Sequence, residues 1–450
     1  TQVTYGKIER PEAISKYIIK VKSKNLNWRN MLYFGGMVIL PEHYLRDLDG
    51  TAYLEEYNFK MLPGTGPYLI RDEDIVNQES YSLIRRDDWW GKDDRHSKSM
   101  YNFDRITVSV VKDNPALQFE KMKKGESDFY EVTKPPMWVD ETDFEAANMG
   151  WIQKKRIYSN SPAGTWGYGF NMRKWPFNDK RLRYAFSYLY DREKFNREIL
   201  YNEYTAINSL YSGSEYENPN NPKYDYNPEK AVELLKEAGY NSRNDKGYLV
   251  HDETGRVLSF TIEINKSSDY RVTPMQQILK EYGIDMQIKF IDRTTRWKNL
   301  MDRNFTIDFQ AWGGLVYPNP ESMFKSTLAD QKNNNNMYGF KSERVDELLP
   351  IYDTEFDHDK RVKIIQEIDS IIVESRYSAL GLSRQPPLRI LFWNKFGYPD
   401  YMISKYGGRM EDILYHWWFD DEKAKKLENA MNSKTKLDIG EMDQTFWKDL

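Results

Sequence analysis

Hydrophobic and polar positions in this chain follow two periods, close to 2 and close to 3.6, in alternating segments. Residues 15–22 (ISKYIIKV) alternate loosely and carry β-branched side chains, which predicts a strand. A second short apolar run, 37–45 (MVILPEHYL), is stopped by Pro41. The stretch 64–70 (GTGPYLI) sets a Gly-Thr-Gly-Pro turn before a strand, and 81–91 (YSLIRRDDWWG) reads as its partner. Next, 103–111 (FDRITVSVV) predicts a strand, followed by a helix closed by Gly125 and another strand, the pattern of a βαβ unit in an α/β domain.

The second half is more regular. A helix from 179 places Leu182, Ala185, Phe186 and Leu189 at i, i+3, i+4 and i+7, with Asn178 as N-cap and Asp191 capping a following helix, 192–200. Residues 226–240 (YNPEKAVELLKEAGY) carry the clearest helix: Asn227 caps it, Pro228 opens it, Ala231, Leu234, Leu235 and Ala238 form its apolar face, and Gly239 ends it. Strands are predicted at 258–264, 284–292 and 305–314, with a helix near 271–282. Helices are predicted from Ser342 and over 358–374. The polar loop Lys332 to Asn336 is expected to be exposed and mobile. The segment from Tyr377 reads as strand, Pro-Pro bend, strand.

Composition narrows the function classes. The 450 residues suffice for two or three domains. Cysteine is absent, which excludes thiol catalysis, thiolate metal sites and disulfides. A net charge of −4 with both signs interspersed shows no nucleic-acid footprint. No run of about 18 apolar residues marks a membrane span. The opening TQVTYGKIERPE has no Met, basic region or apolar core, so either a leader was removed or the chain is part of a longer one. Aromatic residues are abundant, with 13 Trp, 33 Tyr and 21 Phe; most belong to cores, and a minority can line a binding cleft.

Catalytic signatures are missing. The five histidines are dispersed, with no pair at metal-ligand spacing. GTGPYL lacks the Lys-Ser/Thr and the helix of a phosphate loop, and no nucleophile elbow or EF-hand loop occurs. The doublets Asp87-Asp88 and Asp93-Asp94 lie in a charged loop and read as solvated surface. Two stretches stand out. In 166–170, Trp166, Tyr168 and Phe170 alternate with Gly167 and Gly169, putting large rings on one face and nothing on the other; either a ligand approaches the bare face or the sheet packs there. In 310–320 (QAWGGLVYPNP), a strand ends in Trp312-Gly313-Gly314, which leaves peptide groups beside an aromatic wall for an extended ligand, or forms a plain loop.

Taken in order, GTGPYLI…DDWWG, FDRITVSVVKDNPALQFEKMKKGESDFYEV, FNMRKWPFNDKRLRYAFSYLYDREKF, YNPEKAVELLKEAGY, MYGFKSERVDELL and RVKIIQEIDSIIVE resemble the extracellular solute-binding proteins of family 5, the peptide/nickel-type receptors of ABC importers. RILFWNKFGYP and ILYHWWFDDEKAKKL are similar to the microcin C/oligopeptide-binding subgroup. The resemblance implies an α/β, two-lobed periplasmic-binding-protein-like fold (class II, cluster C type) with mixed sheets and ligand enclosed between the lobes. It implies that 1–44 is a remnant of an N-terminal or extra domain, 45–165 lobe I, 166–388 lobe II and 389–450 a return to lobe I, with lobe I incomplete because an N-terminal stretch is missing. The strand 166–171 and the segment PPLRILFWNKF are then the two crossings between lobes.

The implied function is that of the substrate-binding component of an ABC importer, without catalysis, metal or cofactor. It would be a monomer in the periplasm, or anchored on the extracytoplasmic face, that delivers an oligopeptide or peptide-like solute to an inner-membrane permease. Trp166, Tyr168, Trp312, Leu315 and Tyr317 would bury ligand. Backbone groups at Gly313 and Gly314, with Asn171 and Asn319, would orient it, and Arg173 would meet a carboxylate or form a salt bridge. In peptide-binding relatives an aspartate shortly after the equivalent of Trp312 pairs with the ligand's amine; here Leu315-Val316-Tyr317 stand there, with no acid before Glu321. A carbohydrate-binding receptor or glycoside-active enzyme with an aromatic-lined cleft is the alternative.

Overall fold

The computed structural model describes residues 5–57, 60–112, 114–384 and 388–448. The chain forms two units, one of Thr1–Gly36 with Pro162–Gln385 and the other of Met37–Ser161 with Pro386–Leu450. It therefore passes from unit to unit after residues 36, 161 and 385. The first 36 residues group with 162–385, whereas a separate remnant domain over 1–44 was expected; contacts described below hold them there.

The first unit is built on a five-stranded mixed sheet in the order Asp285–Phe290, Ser259–Ile264, Ile307–Trp312, Thr165–Phe170, Ser378–Leu380. The first three strands are parallel, and each remaining strand is antiparallel to its neighbour. The parallel pair Ser259–Ile264 and Asp285–Phe290 encloses helix Asp269–Glu281, as the sequence pattern predicts. All six residues of Thr165–Phe170 are buried, because helices cover both faces of the sheet. On one face Leu182, Ala185 and Leu189 of helix Lys180–Leu189 and Val272, Met275 and Leu279 of helix Asp269–Glu281 pack with the sheet side chains. A second cluster joins Tyr338 and Tyr377 to Val345, Leu348 and Leu349 of helix Glu343–Thr354 and Ile365, Ile368 and Ile372 of helix His358–Ser375.

Local signals account for the helix ends. The Asn227 side chain accepts the Lys230 N–H at the start of Pro228–Glu237, and Gly239 follows the helix at φ +88°, a conformation natural to glycine. Asp191 caps Arg192–Ile199 as expected. Asp179, rather than Asn178, caps Lys180–Leu189, accepting the Arg181 N–H.

The second unit has a sheet in the order Asp443–Gln444, Ile152–Ile157, Leu388–Trp393, Phe129–Glu131. Another joins Tyr68–Leu69, Ile75–Val76 and Arg105–Ser109 to Ser80–Arg85, all antiparallel. The expected βαβ unit around helix Pro115–Lys123 does not form. Arg105–Ser109 pairs with Ser80–Arg85, while Phe129–Glu131 pairs antiparallel with Leu388–Trp393 in a different sheet. Strand–helix–strand order does not choose the pairing partner, and here a partner far away in sequence prevails.

Two local expectations also change in part. Residues 15–22 do not form one strand: Glu12–Ser15 and Ile18–Lys20 make an exposed antiparallel hairpin. In loop 332–336 Lys332, Asn333 and Asn335 are exposed as expected, but the loop is tied at its end, where Asn336 is buried and its side chain bonds to Phe340 through both the carbonyl oxygen and the N–H. The expected Pro-Pro bend at 386–387 lies outside the described residues.

Candidate functional site

The three parallel strands of the first unit point the same way; Ile264 pairs with Phe290, and Ile307–Trp312 runs on beyond them because Ile307 stands opposite Ile262. In open α/β sheets the carboxyl end of such strands collects ligand-contacting loops. Antiparallel Thr165–Phe170 begins here, with Thr165 opposite Trp312, and Leu380, the last residue of Ser378–Leu380, stands opposite Gly167. Both the passage into this unit at Pro162 and the passage out after Gln385 thus attach at the sheet end from which loop 313–320 departs. In the second unit the corresponding passages also share one end, where Leu388 pairs with Ile157.

Loop 313–320 is seated tightly and yet presents side chains outward. A Cβ on Gly164 would overlap the Trp312 carbonyl, and one on Gly314 would overlap the Pro162 carbonyl. The two glycines let 162–164 and 312–314 run in direct contact. Gly314 is therefore committed to the protein's own packing, while Gly313 is exposed with open space around it. Beyond them Leu315 is 58% and Tyr317 46% exposed. Trp312 is half-buried against the cluster that holds Tyr338 and Tyr377.

The N-terminal segment supports this loop. Trp28 packs edge-on against Tyr317 and Tyr352, with centroids 5.6 and 5.5 Å apart, and its indole N–H donates to the Tyr352 carbonyl at 2.9 Å. The Arg361 guanidinium lies over its face at 4.3 Å. Arg29 donates to the Asn319 side-chain oxygen at 2.7 Å and pairs with Asp353. The Tyr352 hydroxyl donates to the Pro318 carbonyl at 3.0 Å. Lys7 bridges Glu321 and Asp353, and Lys325 adds a 3.1 Å contact to Glu321.

These charges are mostly out of water, so partners set protonation. Burial pushes the Glu321 carboxyl up, but hydrogen bonds and charge from Lys7 and Lys325 outweigh it and hold the group below its ordinary value. Burial raises the Tyr33 hydroxyl to about 12, with Asp353 and Glu321 adding to the rise and Arg29 opposing it. Glu321, the first acid after Trp312, is 7% exposed and fully engaged by lysines, so it is no free anchor for a ligand amine.

The other expected ligand residues are placed differently. Tyr168 is fully buried against Phe186, Tyr190 and Phe309. Trp166, also buried, packs on Phe195, Tyr204 and Phe309. Both are core residues, because the ring-bearing face of their strand is covered by helices. The bare face is covered as well: a Cβ on Gly169 would overlap the Tyr338 ring and one on Gly167 the Ala379 carbonyl. The close approach anticipated at these glycines is made by the protein itself.

Asn171 and Arg173 follow Phe170, which stands opposite Ile307 at the far end of the sheet from Trp312. Asn171 is fully buried and donates to the Phe305 carbonyl at 2.9 Å. Arg173 donates to Asn171 and to the carbonyls of Ala329, Asn336 and Met337, tying down the asparagine-rich loop. The hydrogen bonds they make are internal, and Arg173 Nε faces the Asp330 carboxylate at 3.5 Å. The structure thus gathers Trp312, Gly313, Gly314, Leu315, Tyr317 and Asn319 at one end and removes Trp166, Tyr168, Asn171 and Arg173 from that group. Sequence reading missed Lys7, Trp28 and Arg29, for which the sequence carries no signal, since their partners lie some three hundred residues away.

Among the described residues no three His, Asp or Glu side chains gather as a metal site, and no helix is long and apolar enough to cross a membrane. A family model described as bacterial extracellular solute-binding proteins, family 5 Middle, matches residues 2–335. The chain belongs to this family. It is 27% identical over 425 residues to the probable peptide-binding protein YejA of Agrobacterium fabrum, covering 85% of this chain and 68% of that relative. It is 26% identical to the uncharacterized protein y4wM of Sinorhizobium fredii, covering 85% of this chain and 63% of that relative. The chain thus spans about two thirds of the length of these curated relatives. The oligopeptide-binding protein AppA from Bacillus subtilis, solved in complex with a nonapeptide, matches with a TM-score of 0.77 at 21% identity, covering 93% of this chain and 79% of AppA. The fold is that of the two-lobed periplasmic binding proteins of family 5, with mixed sheets.

Proposed function

We propose that this chain is the substrate-binding component of an ABC importer. It captures an oligopeptide or peptide-like solute in the periplasm and delivers it, chemically unaltered, to a membrane permease. The observation that carries this reading is loop 313–320, held rigidly from behind yet offering Gly313, Leu315 and Tyr317 to solvent at the carboxyl ends of the parallel strands. Family membership and the fold shared with a nonapeptide-binding receptor support it. Leu315 and Tyr317 supply apolar contact, and the open peptide groups at Gly313 pair with an extended backbone. The paired chain passages at one end of each main sheet suit a hinge that opens for entry and release.

Glu321, engaged by Lys7 and Lys325, offers no free carboxylate to a ligand amine, which leaves room for a blocked peptide, a modified peptide or a non-peptide solute. Native mass spectrometry of protein purified from its own host tests the proposal. The expected result is a carried-over peptide-like mass, released intact on denaturation and lost or weakened in Tyr317→Ala. A sugar in its place, or a ligand released chemically changed, refutes the reading.

A further inference from the structure

A cavity of about 310 Å³ opens at the start of helix Arg192–Ile199, within the first unit and sharing no residue with loop 313–320. Its walls are the first turns of that helix, Ala206 at the end of strand Tyr204–Ala206, and Asp225 and Tyr226 ahead of helix Pro228–Glu237. The volume lies at the lower end of the range for small-molecule sites. The frame is fixed. Arg192 is buried and donates to the carbonyls of Ile207 and Tyr224 and to the Asn208 side-chain oxygen, which ties the helix to both neighbouring segments. The Asp191 carboxylate accepts the Lys194 backbone N–H at the helix start. The Tyr226 ring is exposed, and its hydroxyl meets that of Tyr282 at 3.4 Å.

The charges around this cavity balance in number but do not pair with one another. Asp191, Glu193 and Asp225 line it together with Arg192, Lys194 and Arg197. Among the described residues no ion pair joins any two of these six side chains. Glu193 and Arg197 have the i, i+4 spacing at which helical ion pairs form, yet Arg197 turns to Glu198 at 3.3 Å. Glu193, Lys194 and Asp225 are exposed at the mouth and form no ion pair among the described residues. The acids do not gather as a metal site. A lining with equal numbers of both signs complements a molecule that itself carries both.

We propose that this cavity binds a free zwitterionic α-amino acid. Its ammonium group lies toward Asp225 and Glu193, its carboxylate toward Lys194 and Arg197, and its side chain against the Tyr226 ring. The site stands apart from the function proposed for loop 313–320 and does not depend on it.

Calorimetric titration of the full chain with L-leucine tests this. The expected result is one saturable site, weakened about tenfold or more for N-acetyl-L-leucine, which lacks the ammonium group, and for L-leucinamide, which lacks the carboxylate. Asp225→Asn and Lys194→Met change exposed positions and should each weaken L-leucine by a similar factor, whereas Tyr317→Ala should leave it unchanged. No saturable heat, equal binding of the three compounds, or unchanged affinity in Asp225→Asn and Lys194→Met would each overturn the proposal. Loss of binding in Tyr317→Ala alone would assign L-leucine to loop 313–320, ending this inference while leaving the function proposed there intact. Wild-type crystals soaked in L-leucine give a second readout that needs no variant: density between Asp225 and Lys194 supports the site, and an empty cavity at saturating concentration refutes it.

Discussion

Trp28 meets Tyr317 edge-on, ring centroids 5.6 Å apart and planes at 75°, and this pair joins the N-terminal segment to loop 313–320. The indole is locked behind by its bond to the Tyr352 carbonyl and by Arg361 over its face. Tyr317 therefore presents an exposed ring backed by fixed atoms. Such pre-organisation lowers the entropy lost when a ligand binds.

A double-mutant cycle measures this relationship. Trp28→Ala and Tyr317→Ala should be non-additive in denaturant unfolding, with a coupling of about 0.5–1.5 kcal/mol. Additive effects would show that the rings contribute nothing to each other.

The ligand role proposed for Tyr317 separates from the structural role of Asn171. Tyr317→Ala removes a half-exposed side chain and should weaken peptide-like ligand by roughly tenfold, about 1.4 kcal/mol, with little change in Tm. Asn171→Ala unmakes buried hydrogen bonds and should cost about 1–3 kcal/mol of stability while leaving affinity in the remaining folded protein unchanged. Calorimetric titration and thermal unfolding of both variants give the comparison; the opposite pattern would return Asn171 to the ligand site.

Adjacent glycines give a sharper contrast. Gly313→Ala adds a methyl group to open space, whereas Gly314→Ala drives one into the Pro162 carbonyl. Gly314→Ala is expected to lose about 1–3 kcal/mol as backbone shifts to relieve the overlap. Gly313→Ala should stay within about 0.5 kcal/mol of wild type. Equal Tm values for the two variants would contradict the seating of this loop.

Acid sensitivity follows from Glu321. Its folded-state proton affinity lies below the ordinary value of 4.5, so its ion pairs contribute stability above that pH and lose it as the pH falls through the lower folded value. Glu321→Gln should be less stable than wild type at neutral pH, because Lys7 and Lys325 lose a partner. The gap should narrow steadily below pH 4.5. A gap independent of pH would remove Glu321 from the acid response.

Helix Pro228–Glu237 was legible because its cap, its opening proline, its apolar stripe and its closing glycine all lie within a dozen residues. The parallel strands Ser259–Ile264 and Asp285–Phe290 were legible for the same reason: the intervening helix leaves little freedom of pairing. The loop after Trp312 was found from its Gly-Gly and aromatic pattern. Trp166 and Tyr168 were misjudged because alternating rings and glycines look the same whether a ligand or the protein's own Tyr338 and Ala379 fill the space.

The sequence alone determined the class of elements, most helix limits and the resemblance to family 5, since these rest on contacts between near neighbours. Tertiary structure alone decided that Phe129–Glu131 joins Leu388–Trp393, that Asn171 and Arg173 stand at the far end of the sheet from Trp312, and that Lys7, Trp28 and Arg29 hold loop 313–320. Those outcomes depend on which distant surfaces bury one another and which buried charges find partners. The physical reason is that burial and charge pairing are properties of the folded whole, and no local window of the chain contains them.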